Sequence, residues 1–118
     1  MSEEMNAVRQ REELKQKTRK PLNGRLIALL NQIEKRPALF VGSDSDLRAL
    51  FHFLNGWQCA MGGMPGCEDA NLNERMNAFV ALKYGDFDSL NWADLLIRHE
   101  GEAAAVRKFF ECFHEMQR

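Results

Sequence analysis

Hydrophobic residues recur at helical spacing through most of the chain from residue 22 onward. In the first such stretch, leucine and isoleucine return every three or four positions. This pattern predicts a helix that ends before Pro37, because proline disfavours helical geometry in the residue before it. The apolar stripe of this helix is Leu22, Leu26, Leu29, Leu30 and Ile33. A short apolar link, Leu39 to Val41, follows it.

A second helix is predicted after this link. Ser43 and Asp46 have the spacing of a capping box, so we expect Ser43 to cap the first free amides of the helix. Gly56 lies inside the helix, where glycine costs stability, which predicts either close packing against a neighbour or the end of the helix. The apolar face consists of Leu47, Leu50, Phe51, Leu54 and Trp57.

Three further helices are predicted in the second half of the chain. One continues to about Tyr84, where Gly85 is expected to act as the C-cap. No segment alternates between apolar and polar residues at period two. The predicted fold class is therefore all-α, a compact bundle of about five helices. The apolar faces of the last three helices contain Leu72, Met76, Phe79 and Val80, then Trp92, Leu95 and Leu96, then Val106, Phe109, Phe110 and Phe113.

The first twenty residues differ from the rest in being highly charged and nearly free of large apolar side chains. Their arginine, glutamate, glutamine and lysine residues favour a helix. They offer little apolar surface to bury, however, so a solvated helix and a charged tail both remain open. We divide the 118 residues into this N-terminal segment, 1–20, and one helical domain, 21–118.

Charge is unevenly distributed along the chain, although the net charge is only −1. Between Ala7 and Lys20, six basic residues face two acidic ones, whereas from Pro21 onward ten basic residues face thirteen acidic ones. The most acidic stretch runs from Glu68 to Asp94. An acidic surface repels nucleic-acid phosphates and attracts basic partners.

No group of residues in the sequence has the spacing of a catalytic or metal site. His99 and Glu100 are the nearest to an acid–base pair, but neighbours on a helix point about 100° apart. Three irregularly spaced cysteines, Cys59, Cys67 and Cys112, predict neither a disulfide scaffold nor a zinc site. We therefore expect no enzymatic activity, no cofactor and no metal.

Targeting signals are also missing from the sequence. The N-terminus is charged rather than apolar, so it does not read as a secretion signal. No apolar run approaches the length that a membrane span needs. These features predict a cytoplasmic protein without a membrane partner.

The corner between the first two predicted helices carries a resemblance to a known family. Its pattern is Ile33-x-x-Arg36-Pro37-x-x-Phe40-Val41-Gly42, followed by Leu47, Leu50 and Phe53-Leu54-x-Gly56-Trp57. It resembles small helical bacterial immunity proteins, which are encoded beside polymorphic toxins or the toxins of contact-dependent growth inhibition. The resemblance covers roughly residues 26 to 116, and its best-matched positions are Arg36, Pro37, Gly42, Gly56, Trp92 and Phe110.

This resemblance implies that the chain binds a cognate toxin domain stoichiometrically and blocks its active site. The matched residues are those of a scaffold, so the binding face is expected elsewhere. A nuclease toxin has a basic substrate groove, towards which an acidic surface is steered. We therefore predict that the acidic middle of the chain contacts a nuclease toxin, through Glu68, Asp69, Glu74, Asp86 and Asp88.

A second hypothesis uses the basic segment from Arg9 to Lys20 instead. The chain would then be a helical regulatory or nucleic-acid-binding module. This segment lacks interleaved aromatic residues, and the rest of the chain has the opposite sign of charge. The immunity hypothesis, which requires no nucleic-acid partner, is therefore favoured. The sequence leaves the oligomeric state open.

Overall fold

Seven helices make up the described part of the chain, and no strand occurs there. The computed structural model describes residues 3–19, 22–62, 72–88 and 90–118. The all-α prediction is confirmed. The predicted count of five was too low, because the N-terminal segment forms a helix and the short apolar link forms another. The helices are α1 (Glu3–Thr18), α2 (Gly24–Lys35), α3 (Pro37–Val41), α4 (Leu47–Met61), α5 (Leu72–Tyr84), α6 (Trp92–Glu100) and α7 (Glu102–Gln117).

A sharp corner connects α2 to α3. The helix α2 ends at Lys35, as the proline predicts, and Arg36 has the non-helical angles φ −148° and ψ 73°. Pro37 then occupies the first turn of α3, where its missing N–H costs nothing. The residues Leu39 to Val41 are thus helical, not an irregular link. Periodicity could not show this, since α3 is only five residues long.

The turn after α3 is held by side chains of its own. Gly42 adopts the left-handed φ of 77° and donates its N–H to the carbonyl of Ala38 at 2.9 Å. Asp44 Oδ1 accepts the N–H of Ala38 at 3.1 Å, at the beginning of α3. These bonds tie both ends of α3 to the turn and fix the angle of the corner.

The N-cap of α4 is Asp46, so the prediction of Ser43 in this role was wrong. Asp46 Oδ1 accepts the N–H of Ala49 at 3.0 Å. The hydroxyl oxygen of Ser43 accepts the N–H of Ser45 instead, at 3.1 Å, and so stabilises the turn. A carboxylate is also a favourable group at the positive end of a helix.

Gly56 has neither of the roles predicted for it. The helix α4 continues beyond it to Met61, and a Cβ atom built at Gly56 would meet nothing within 4 Å. Gly85 does act as predicted. Its φ is 61°, and the N–H of Asp86 after it bonds to the carbonyl of Ala81 at 3.1 Å, which closes α5.

Trp92, the first residue of α6, lies at the centre of the core. Its ring stacks on Phe109 of α7 with the centroids 4.6 Å apart, and Phe51 of α4 meets it edge-on at 5.1 Å. The indole Nε1 donates to Asn73 Oδ1 at 2.8 Å, and the main-chain N–H donates to Asn77 Oδ1 at 2.7 Å. One residue thereby joins α4, α5, α6 and α7, with its polar groups satisfied.

The helix α1 lies along α5, and its C-terminal end is held by Arg75. Arg75 is the one buried charged residue of the described chain. Its Nε donates to the carbonyl of Thr18 at 2.6 Å, and Nη2 donates to the carbonyl of Met116 in α7 at 2.9 Å. The guanidinium thus bonds carbonyls at the C-terminal ends of two helices, which otherwise lack donors. No helix of the described residues is both long and apolar enough to cross a membrane.

Candidate functional site

The acidic residues predicted to bind a partner are distributed over three places. Glu68 and Asp69 lie outside the described residues. Glu74 is half-buried in the first turn of α5, where its charge complements the helix dipole. Asp86 and Asp88 lie in the turn between α5 and α6. Of the five predicted residues, the structure brings Asp86 and Asp88 together.

Arg98, in the last turn of α6, bridges the two aspartates of this turn. Its Nη1 lies 3.0 Å from Asp86 Oδ2 and 2.8 Å from Asp88 Oδ2. The Asp86 side chain is only 13% exposed, whereas that of Asp88 is 69% exposed. The acidic turn therefore carries its own cation. Only Asp88 has a carboxylate that is open to solvent on most of its surface.

His99 makes a second side-chain contact to Asp86. Its Nε2 lies 2.7 Å from Asp86 Oδ2. This contact, the main-chain N–H of Asp88 and the guanidinium of Arg98 hold the pKa of the Asp86 carboxyl below its ordinary value. Asp86 is thus a structural anion that fixes the turn.

Tyr84 and Glu100 extend this cluster on the other side of His99. The rings of Tyr84 and His99 stack with the centroids 4.7 Å apart, and the Tyr84 hydroxyl donates to Glu100 Oε2 at 2.5 Å. Burial and the Glu100 carboxylate both raise the pKa of Tyr84. His99 and Glu100 thus both contact Tyr84, but their hydrogen bonds go to different residues, that of His99 to Asp86 and that of Glu100 to Tyr84. They do not form an acid–base pair.

Phe87, between the two aspartates, is the aromatic residue at this turn. It is 38% exposed, and it is one of four large hydrophobic residues of the described chain that are exposed. Arg98 binds both neighbours of Phe87, Asp86 and Asp88, and His99 also binds Asp86; we call these contacts the clamp. The turn therefore presents one aromatic ring and one open carboxylate on a rigid support.

A groove of about 290 Å³ separates the corner from α7. Its floor is apolar and consists of Pro37 at the corner with Val106 and Phe110 of α7. Three carboxylates line its rim, from Glu34, Asp44 and Glu111, together with the side chains of Arg107 and His114. We refer to these eight residues as the corner groove.

The rim groups of the corner groove differ in how they are paired. Glu34 Oε1 lies 2.7 Å from His114 Nε2, which links α2 to α7. Glu111 lies 3.1 Å from Lys108 Nζ and 3.9 Å from Arg107 Nε. Asp44 has only its hydrogen bond to the N–H of Ala38, and within the described residues no cationic side chain pairs with it.

A second cleft, of about 660 Å³, lies where the beginning of α4 faces α6 and α7. Arg48 lies at its edge and pairs with Asp94 at 3.2 Å and with Glu102 at 3.4 Å. Ser43, Ser45 and His52 also line it. Arg48 is already paired with two carboxylates, so it is not available to bind a small anion in this cleft.

The cysteines of the described chain are free and unlike each other. Cys59 is exposed, whereas Cys112 is buried, and burial raises the pKa of the Cys112 thiol to about 11. Cys67 lies outside the described residues. Within those residues, no group of three or more histidine, cysteine, aspartate or glutamate side chains could hold a metal ion.

Sequence reasoning missed the corner groove. Its carboxylates come from three separate segments, and Glu34 and His114 are eighty positions apart. One signal was available, because Arg107 lies three positions before Phe110 and His114 four positions after it on the same helix. On a helix, side chains at these positions lie next to the large apolar residue, at the edge of the buried face of the helix.

Comparisons with known proteins add no identification. No protein family, no curated protein and no solved structure matches the chain. The family resemblance therefore rests only on the sequence pattern described above.

Proposed function

We propose that this chain is a bacterial immunity protein that binds a cognate toxin domain and blocks its active site stoichiometrically. It acts by binding rather than by catalysis, in the cytoplasm, and its toxin is a nuclease. The observation that carries the proposal is the corner, where two residues of the family resemblance, Pro37 and Gly42, begin and end α3.

Those residues have distinct physical roles. Pro37 begins α3, and Gly42 ends it with a left-handed φ of 77°. Trp92 begins α6 and occupies the core against Phe109. Phe110 forms part of the floor of the corner groove. These residues support a shared fold, and the mode of action is proposed from that resemblance together with the exposed groups near the predicted binding segment.

Exposed groups near the predicted binding segment support a protein partner. Phe87 and Asp88 lie side by side on the clamped turn, so an aromatic anchor and a carboxylate face solvent together. Aromatic anchors beside charges are common in protein interfaces. An open carboxylate suits the basic substrate groove of a nuclease.

Co-expression tests the proposal. The toxin domain encoded beside this chain's gene is expressed from an inducible promoter, with the chain on a second plasmid. We expect the toxin to arrest growth, the chain to restore it, and calorimetry on the purified pair to give a 1:1 complex. A neighbouring toxin that still kills in the presence of abundant folded chain would overturn the proposal.

A second candidate function follows from α1. Its described basic side chains are all exposed, including Arg11, Lys15 and Lys17, as is Arg19 just after the helix. A helix with this surface can bind nucleic-acid phosphates, with an affinity that falls as salt rises. Replacing Arg11, Lys15 and Lys17 by glutamine should then abolish binding to single-stranded and duplex nucleic acid. If the unmodified chain binds neither, this function is excluded.

A further inference from the structure

We propose that the corner groove receives one long cationic side chain, arginine or lysine, of the toxin domain. The identity of the partner rests on the proposed function, whereas the chemistry of the groove rests on its own residues. The assignment moves the centre of the interface from the acidic turn to the groove between the corner and α7.

The floor of the groove suits the methylene stem of such a side chain. Pro37, Val106 and Phe110 present carbon atoms, and the groove of about 290 Å³ is large enough for one long side chain. Arginine and lysine commonly bury their stems along apolar surface while the charged end reaches polar groups. A short acidic or hydroxyl side chain would leave this floor uncovered.

The rim suits the charged end of the same side chain. Three carboxylates line the groove, against the guanidinium of Arg107 and the imidazole of His114. Asp44 is the carboxylate without a cationic partner among the described residues, and its position is fixed by the N–H of Ala38. A guanidinium or ammonium group that entered the groove would therefore find a preorganised acceptor.

The acidic turn provides the comparison that decides between the two surfaces. There, Asp86 and Asp88 already hold Arg98 between them, at 3.0 Å and 2.8 Å. A toxin cation would have to share these carboxylates with an intramolecular partner. At the corner groove, Asp44 requires no such sharing, so the groove is the better acceptor for an external arginine.

The first test uses the full chain and a probe, independently of any toxin. The probe is the peptide acetyl-Gly-Arg-Gly-amide, and the control replaces arginine by citrulline, which is neutral and nearly the same shape. We expect saturable NMR shifts of the amides of Ala38, Glu111 and His114, with a Kd in the millimolar range. Citrulline should give none. Equal shifts with both peptides, or shifts elsewhere only, would overturn the assignment.

The second test uses the toxin domain identified by co-expression. The double variant Glu34→Gln and Asp44→Asn removes two rim charges and keeps acceptors for His114 and for the N–H of Ala38. The control, Glu12→Gln with Glu13→Gln on the exposed surface of α1, makes the same change of charge elsewhere. We expect the groove variant to weaken toxin binding by about tenfold or more and the control to change it far less.

The outcomes separate the two proposals. If the chain neutralises a toxin but the groove variant binds it as tightly as the control does, the groove assignment fails and the immunity function stands. If no toxin is neutralised while the arginine peptide still binds at the groove, the immunity function fails. If sedimentation shows a dimer that only the groove variant dissociates, the arginine comes from a second copy, and the toxin assignment is overturned.

Discussion

Arg75 and Thr18 are joined by a hydrogen bond of 2.6 Å between the guanidinium Nε and the main-chain carbonyl. The same guanidinium reaches the carbonyl of Met116 at the end of α7. Burial lowers the pKa of Arg75 below its ordinary value, and the group stays cationic at any physiological pH. One side chain of α5 therefore holds the ends of α1 and α7 together.

Replacing Arg75 by methionine should destabilise the fold, because the buried carbonyl of Met116 and the partly buried carbonyl of Thr18 lose their donor. We expect a loss of about 1–3 kcal/mol in the free energy of unfolding by urea, and faster cleavage of α1 by trypsin. Lys83→Met is the control, since its ion pair with Glu115 at 2.9 Å is partly exposed. That change should cost about 1 kcal/mol or less. Equal losses for both variants would contradict this role of Arg75.

Gly56→Ala should stabilise the protein. The added methyl group meets nothing within 4 Å, and alanine is the better residue inside a helix. We expect a gain of about 0.5–1 kcal/mol, measured as a shift of the urea midpoint. Gly85→Ala is the matched opposite, because its φ of 61° is strained for alanine. It should lose about 1–2 kcal/mol. A loss at both positions would show that Gly56 has a packing role.

The contribution of Asp86 to stability should depend on pH. The pKa of its carboxyl is below the ordinary 3.8 in the folded chain, so the unfolded chain binds the proton more tightly. Its stabilising effect is therefore complete above the unfolded pKa and is lost as pH falls through the folded one. The difference in urea midpoint between the unmodified chain and Asp86→Asn should be present at pH 5 and shrink below about pH 4.

Asp88→Asn, measured in the same way, is the control for this prediction. Its carboxylate is 69% exposed, so its removal should change the midpoint less at every pH. A difference for Asp86→Asn that does not vary with pH would show that the variant acts through packing instead of charge.

The two described cysteines should differ in their reaction with iodoacetamide. Cys59 is exposed, whereas Cys112 is buried and its pKa is raised to about 11, so little thiolate is present at pH 8. Peptide mapping by mass spectrometry should find Cys59 modified within minutes and Cys112 only after unfolding in urea. Modification of both at the same rate in the native state would contradict the burial of Cys112.

The sequence predicted those parts of the fold that depend on local rules. The stripe containing Leu26, Leu30 and Ile33 forms the buried face of α2, and Gly85 closes α5 with positive φ. The N-cap of α4 was harder, since Ser43 and Asp46 both carry capping groups. Only the turn geometry decides that Ser43 bonds to Ser45 while Asp46 bonds to the helix.

Features that depend on tertiary packing were beyond the sequence. Arg75 lies in a helix with apolar residues on several sides, and nothing in its spacing indicates two carbonyl partners from other helices. The charge pattern of the acidic segment likewise did not show that Arg98 pairs with it, although Arg98 lies only ten residues after Asp88. Charge counts along a chain do not show which charges neutralise each other.

The two tryptophans lie in different environments, so their fluorescence can report on the surface and on the core separately. Trp92 is fully buried against Phe109, whereas Trp57 of α4 is half-buried. Iodide in solution should quench the fluorescence of Trp57 but not that of Trp92. Quenching therefore separates changes at the surface near Trp57 from changes in the core. In Trp57→Phe, the remaining emission should report unfolding of the core alone. Any variant used to study partner binding can thus be checked for an intact core without a label.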